Sequence, residues 1–181
     1  MGKMKTSSVH PNVLDFLKHE LDQLQDLKAS CRQVVVTRLH QDMALRYVKT
    51  LLKTRGRSLE GGGARCMKDH ALKLHQFFTA QGGACAWTQR ILDQVSEILR
   101  LQDPDLVQLE LVSLIQTCPD FSAAHVSQIL FLKSDLSATS VRKIKRSVEE
   151  NRPSSSTNQC AAFFSRIKVQ ILHNKVKLKF R

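Results

Sequence analysis

The sequence predicts an all-α fold, an antiparallel helical bundle followed by a basic, flexible C-terminal tail. Three observations carry that prediction. Apolar residues recur three and four apart in segment after segment, the spacing that lines one side of a helix. Aromatic residues make up only 6% of the 181-residue chain, while Leu, Gln, Lys and Ser abound; a sheet would draw instead on Val, Ile, Thr and Tyr. Strong helix-start signals, an Asp-Pro pair and a repeated Asp-apolar-Ser-Ala string, punctuate the second half.

Residues 1–10 are polar and are expected to be loose. From Pro11-Asn12 onward Leu14, Leu17, Leu21, Leu24 and Leu27 form a stripe flanked by charged and amide residues, one buried face with the remainder solvated. A coiled coil would share this spacing, but its heptad fails at Lys28 and Arg38. The pattern resumes through Val34, Val35, Leu39, Ala44, Leu45, Val48, Leu51 and Leu52. With no Pro or Gly between residues 12 and 55, this stretch reads as one very long helix or as two broken near Thr37–Asp42.

Residues 55–63 (RGRSLEGGG) read as a flexible connector. They lack the lysine and the preceding strand that a phosphate-binding glycine loop requires. Met67, His70, Ala71, Leu74, Phe77 and Phe78 form the next face, closed by Gly82-Gly83 as a C-cap. Trp87, Ile91, Leu92, Val95, Ile98 and Leu99 form another. Asp103 as N-cap and Pro104 at the first helical position start a segment that is apolar nearly all round from Leu106 to Ile115, the helix expected to be most buried.

Residues 120–129 (DFSAAHVSQI) then nearly repeat as 135–144 (DLSATSVRKI). Ser122 and Ser137 are predicted N-caps, with Phe121 and Val126, and Leu136 and Val141, as hydrophobic staples. The helical bundle is thus expected over residues 11–150, and a polar linker with a basic tail over 151–181. The tail carries Phe163, Phe164 and Ile167 before it alternates through Lys175, Lys177, Lys179 and Arg181.

Catalytic chemistry has no support in the pattern, and no cofactor is implied. The histidines are scattered and the acids are patterned on helix surfaces. Cys66, His70, His75 and Cys85 invite a zinc reading, yet structural zinc sites announce themselves by CxxC-type spacing, which is absent. Five cysteines, odd in number and widely spread, fit buried thiols in a reducing compartment.

Charge is more informative. Basic residues exceed acidic ones by seven over residues 1–100 and by nine after residue 140, and fall short by four between, giving the net +12. A polyanionic partner is therefore expected at the C-terminal end, at Arg142, Lys143, Lys145 and Arg146 and at Lys175, Lys177, Lys179 and Arg181. Anionic phospholipid suits these residues, since each basic group gains about 1 kcal/mol near such a surface. The alternative is a helix-turn-helix-like nucleic-acid binder using 122–150 and the tail. It is disfavoured because the second helix offers neither Asn nor Gln for adenine among its leading basic residues.

One ordered string speaks to kinship. The run Glu97-Ile98-Leu99-Arg100-Leu101-Gln102-Asp103-Pro104, then Leu109-Glu110, Pro119-Asp120-Phe121-Ser122, His125, Ile129-Leu130 and Asp135-Leu136-Ser137 with Ile144, resembles the C-terminal region of the exocyst complex component 3 family, with its component-3-like and M-Sec branches. Phe164, Ile167 and Val169 are similar to the family's closing motif. The resemblance implies an elongated rod of the tethering-complex type without enzymatic activity, acting in exocytosis. Expected contacts are SNARE proteins, exocyst subunits and anionic membrane. The implied location is cytoplasmic, peripheral to the plasma membrane or secretory vesicles. Cys118 departs from the family, which tends to place an aromatic residue there.

Overall fold

The computed structural model describes residues 11–53, 62–83, 85–133, 135–153 and 162–169. Seven α-helices account for most of them: α1 (Pro11–Asp22), α2 (Ala29–Lys53), α3 (Gly62–Ala80), α4 (Ala86–Arg100), α5 (Pro104–Thr117), α6 (Ala123–Leu132) and α7 (Ala138–Glu150). A short 3₁₀ turn spans Phe164–Arg166, and there is no strand among the described residues. The all-α expectation holds.

The helix ends follow local chemistry. The Asp103 carboxylate accepts from the backbone N–H groups of Asp105 and Leu106 at 2.7 and 3.2 Å, with Pro104 at the first helical position. The Ser137 hydroxyl accepts from the Ser140 N–H at 3.1 Å. At the other end of α3, Gly82 takes φ +87°. Its N–H bonds Thr79 O, and the Gly83 N–H reaches Phe78 O at 2.8 Å, the paired bonds of a Schellman close.

Three expectations are corrected. The break in the N-terminal stretch lies at residues 23–28, not at Thr37–Asp42, which sit inside α2. There α1 unwinds into tighter bonds between residues three apart, as from Leu24 N to Leu21 O and from Leu27 N to Leu24 O. A leucine spacing of three suits those turns as well as a helix, so Leu24 and Leu27 continue the pattern beyond the helix. Second, α5 is not the most buried element, since Leu106 is 47% and Leu109 63% exposed. It packs chiefly on α7 and α4, and these take up only the side bearing Val107, Leu111, Leu114 and Ile115. Third, Cys31 and Cys66 are exposed, and only Cys85 and Cys118 of the described thiols are buried. The glycine connector lies outside the described residues up to residue 61, while Gly62 and Gly63 already belong to α3.

Packing divides into two regions. A small cluster of Leu21, Val36, Leu74 and Phe78 joins α1 to α2 and α3. The main core runs from α2 through α7 and does not stop at residue 150. Phe163, Phe164 and Ile167 are all buried in it, with Val169 packed against it. Thus the stretch assigned to linker and tail contributes residues 163–169 to the bundle, because three large apolar side chains find an unfilled groove at the start of α6.

Two buried polar groups brace the helices. The ammonium of Lys133, nearly inaccessible at its side chain, reaches the carbonyls of Leu99 and Leu101 at the C-terminal end of α4 and lies 3.5 Å from Asp135. His40 is 1% exposed. It bonds the Thr88 hydroxyl at 3.0 Å and stacks on Phe78 at 4.7 Å, tying α2 to α3 and α4.

Candidate functional site

The basic residues predicted on α7 share one solvated surface. Val141, Ile144 and Val148 recur three and four apart and face the core, which turns Arg142, Lys143, Lys145 and Arg146 outward. The surface is not purely basic. Lys143 Nζ meets Asp105 Oδ1 at 2.8 Å, and that hydrogen bond holds its ammonium above the usual lysine range. Arg146 pairs with Glu150 at 3.3 Å. Arg142 and Lys145 have no carboxylate partner among the described residues. Lys175, Lys177, Lys179 and Arg181 lie outside the described residues.

This mixture weighs against the nucleic-acid alternative. A recognition helix presents its leading basic residues to a polyanion. Here Lys143 is tied to the acidic start of α5, which brings the Asp103 and Asp105 carboxylates to the same end of the helix.

The second candidate surface was not foreseen as a unit. It forms where the turn before α6 receives the closing segment. The ring of Phe164 meets Phe121 edge-on at 4.6 Å and lies 5.6 Å from His125, while Phe163 stands edge-on to Trp87 at 5.5 Å. Polar contacts fix the register. The Ser165 N–H donates to Asp120 Oδ2 at 2.9 Å, and Arg166 reaches back to Asp42 on α2 at 2.8 Å. Arg152, just past α7, donates to the Phe121 carbonyl at 3.1 Å.

His125 connects cap and closing segment. Its Nδ1 accepts from the Ser122 N–H at 3.0 Å, with the Ser122 hydroxyl 2.8 Å away. The remaining proton therefore sits on Nε2, which donates to Ile167 O at 2.9 Å. His125 thus takes the place that Glu or Gln holds in a capping box. Burial is the main cause that lowers its pKa below the ordinary histidine value, partly offset by the Ile167 bond and by Asp120. The two string elements Pro119-Asp120-Phe121-Ser122 with His125, and Phe164 with Ile167, are one physical contact. Sequence separation hid it, and the Phe-Phe pair was its available signal.

The residues weighed for zinc fall into two places. His70 turns to the Tyr47 hydroxyl, 3.0 Å from its Nδ1, whereas His75 and Cys85 line a cleft beside Trp87. Among the described residues no group of three or more His, Cys, Asp or Glu side chains could hold a metal ion. No helix there is long and apolar enough to cross a membrane.

Comparison with known proteins gives a consistent relation. A family model described as exocyst complex component Sec6 matches residues 6–138. Human tumor necrosis factor alpha-induced protein 2 is 28% identical over 140 residues, which is 74% of this chain and 21% of that protein. The human exocyst complex component 3-like protein is 32% identical over 113 residues, 58% of this chain and 15% of that protein. The crystal structure of M-Sec superposes with a TM-score of 0.78 over 88% of this chain and 28% of that one, at 24% identity, a likeness of fold. The chain therefore spans only 21% and 15% of the length of these two relatives.

Proposed function

The chain belongs to the exocyst complex component Sec6 family, and we propose that it is a non-enzymatic tethering protein of exocytosis. The observation that supports this most is the family match across residues 6–138, which covers α1 to α6 and ends at the first residue of α7. In this reading the helices supply a rigid scaffold and the work is done by contact. Exocyst subunits and SNARE proteins meet the helical surface, and an anionic phospholipid membrane meets the C-terminal end. The protein acts in the cytoplasm at the periphery of the plasma membrane or secretory vesicles.

The membrane contact is assigned to Arg142, Lys143, Lys145 and Arg146 with Lys175, Lys177, Lys179 and Arg181. Of the four on α7, Arg142 and Lys145 carry most of the attraction, because Lys143 and Arg146 are already paired with carboxylates. At about 1 kcal/mol for each basic residue near an anionic surface, those two and the four tail cations give a reversible, salt-sensitive attachment.

Cosedimentation of the full chain with phosphatidylserine vesicles tests this. Binding is expected in 0.1 M salt and lost on charge reversal at Arg142, Lys145 and the four tail positions, with no binding to neutral phosphatidylcholine vesicles. Equal binding by wild type and the charge-reversed variant would refute the assigned contact.

A further inference from the structure

We infer that the groove at the start of α6 is a peptide-docking site, filled in this chain by residues 163–167, and that it accepts the same segment from a second copy of the chain. The groove has the parts of a recognition site, each matched to one feature of its occupant. Trp87 and Phe121 receive two aromatic rings, Phe163 and Phe164. Asp120 takes the Ser165 backbone N–H, Asp42 takes the Arg166 guanidinium, and His125 donates to the carbonyl of Ile167. Aromatic anchors set in pockets, ringed by charge-assisted bonds, are the arrangement that gives peptide contacts their affinity and register.

The occupant is separable from the bundle. No α-helix carries it, only a 3₁₀ turn, and the last α-helix among the described residues ends at Glu150. Both arms of the intervening stretch return to one turn: Arg152 bonds the Phe121 carbonyl, and Ser165 bonds the neighbouring Asp120 carboxylate. The two described residues that flank this stretch thus meet the same turn, which holds the segment's point of attachment beside its groove.

Tethering explains why an intact chain keeps its own segment. A ligand on a short connection acts at an effective concentration in the millimolar range, so a second copy competes only when that connection is cut or the chain is concentrated. Exchange of an identical element between copies costs little, since the contacts made are the same.

The test uses the full chain with a site-specific protease sequence placed within residues 154–161. After cleavage, the piece beginning at residue 162 should stay with the folded bundle on gel filtration. Excess labelled synthetic peptide of residues 162–169 should displace it and be retained in its place. The same peptide with Arg166→Glu or Phe164→Ala should compete at least about tenfold less well, the loss of one charge-assisted bond or one buried ring. The uncut chain should take up little peptide. A severed piece that leaves a still-helical bundle unable to take up the peptide would overturn the inference, as would loss of helical circular dichroism on cleavage, which would make the segment an inseparable part of the core.

Discussion

Replacing Phe164 by alanine tests whether the closing segment belongs to the core. The ring is fully buried, 4.6 Å from Phe121 and 5.0 Å from Phe163 by ring centroid. Truncating a buried phenylalanine costs about 3–5 kcal/mol, from lost transfer energy and from the cavity left behind. Residues 162–169 carry a short 3₁₀ turn and no α-helix, so they can settle partly into the space, which places the expected loss near the lower end, about 3 kcal/mol. In a chain of this size each kcal/mol shifts Tm by about 2–4 °C, so the midpoint should fall by about 6–12 °C. Urea denaturation of the full chain, followed by circular dichroism, reads the free energy directly. Phe131→Ala, at a position 38% exposed, serves as the control and should cost less than half as much. A loss below about 1 kcal/mol at Phe164 would show that the segment adds nothing to the bundle and would refute the packing argument.

Other perturbations probe separate devices. Lys133→Ala leaves the carbonyls at the end of α4 without their buried ammonium and should cost about 2–3 kcal/mol in the same denaturation assay. Gly83→Ala sets a Cβ 2.9 Å from the Phe78 carbonyl and 3.1 Å from Val36 Cγ1, so a loss of about 1–3 kcal/mol is expected. Lys143→Ala breaks an exposed ion pair and should change stability by less than about 1 kcal/mol. Burial lowers the pKa of both His40, to about 4, with the nearby His75 adding to it, and His125. A folded-state pKa below the unfolded value means that the native chain binds fewer protons, so stability is full above pH 6.5 and is lost as pH falls from there towards 4. Tm measured across that window should drop, and His40→Gln should flatten the drop; a Tm unchanged between pH 7 and pH 4.5 would contradict the burial of neutral imidazole.

How much of this was legible in the sequence depends on the range of the interaction. Caps are local, so Asp103-Pro104, Ser137 and Gly82-Gly83 could be read from a few residues and lie where they were expected. The break after α1 was not legible, because it uses neither Gly nor Pro and its leucines keep the helical spacing through residues 23–28. Apolar composition misled at α5, where Leu106 and Leu109 face outward although the pattern marks them as core. Composition counts residues, whereas burial depends on how many neighbouring helices the fold supplies. The contacts that close the bundle were illegible for the same reason. His125 to Ile167 and Asp42 to Arg166 join residues 42 and 124 apart, and nothing in either neighbourhood names its partner. Lys133 was equally hidden, since a lysine between two helices ordinarily reads as surface.

The family relation supports the tethering role, and one measurement addresses it most directly. Affinity-tagged full chain, recovered from nuclease-treated cell lysate in physiological salt, should retain exocyst subunits at levels well above a tagged unrelated helical bundle. Recovery of no exocyst subunit, with nucleic acid retained when nuclease is omitted, would contradict the account.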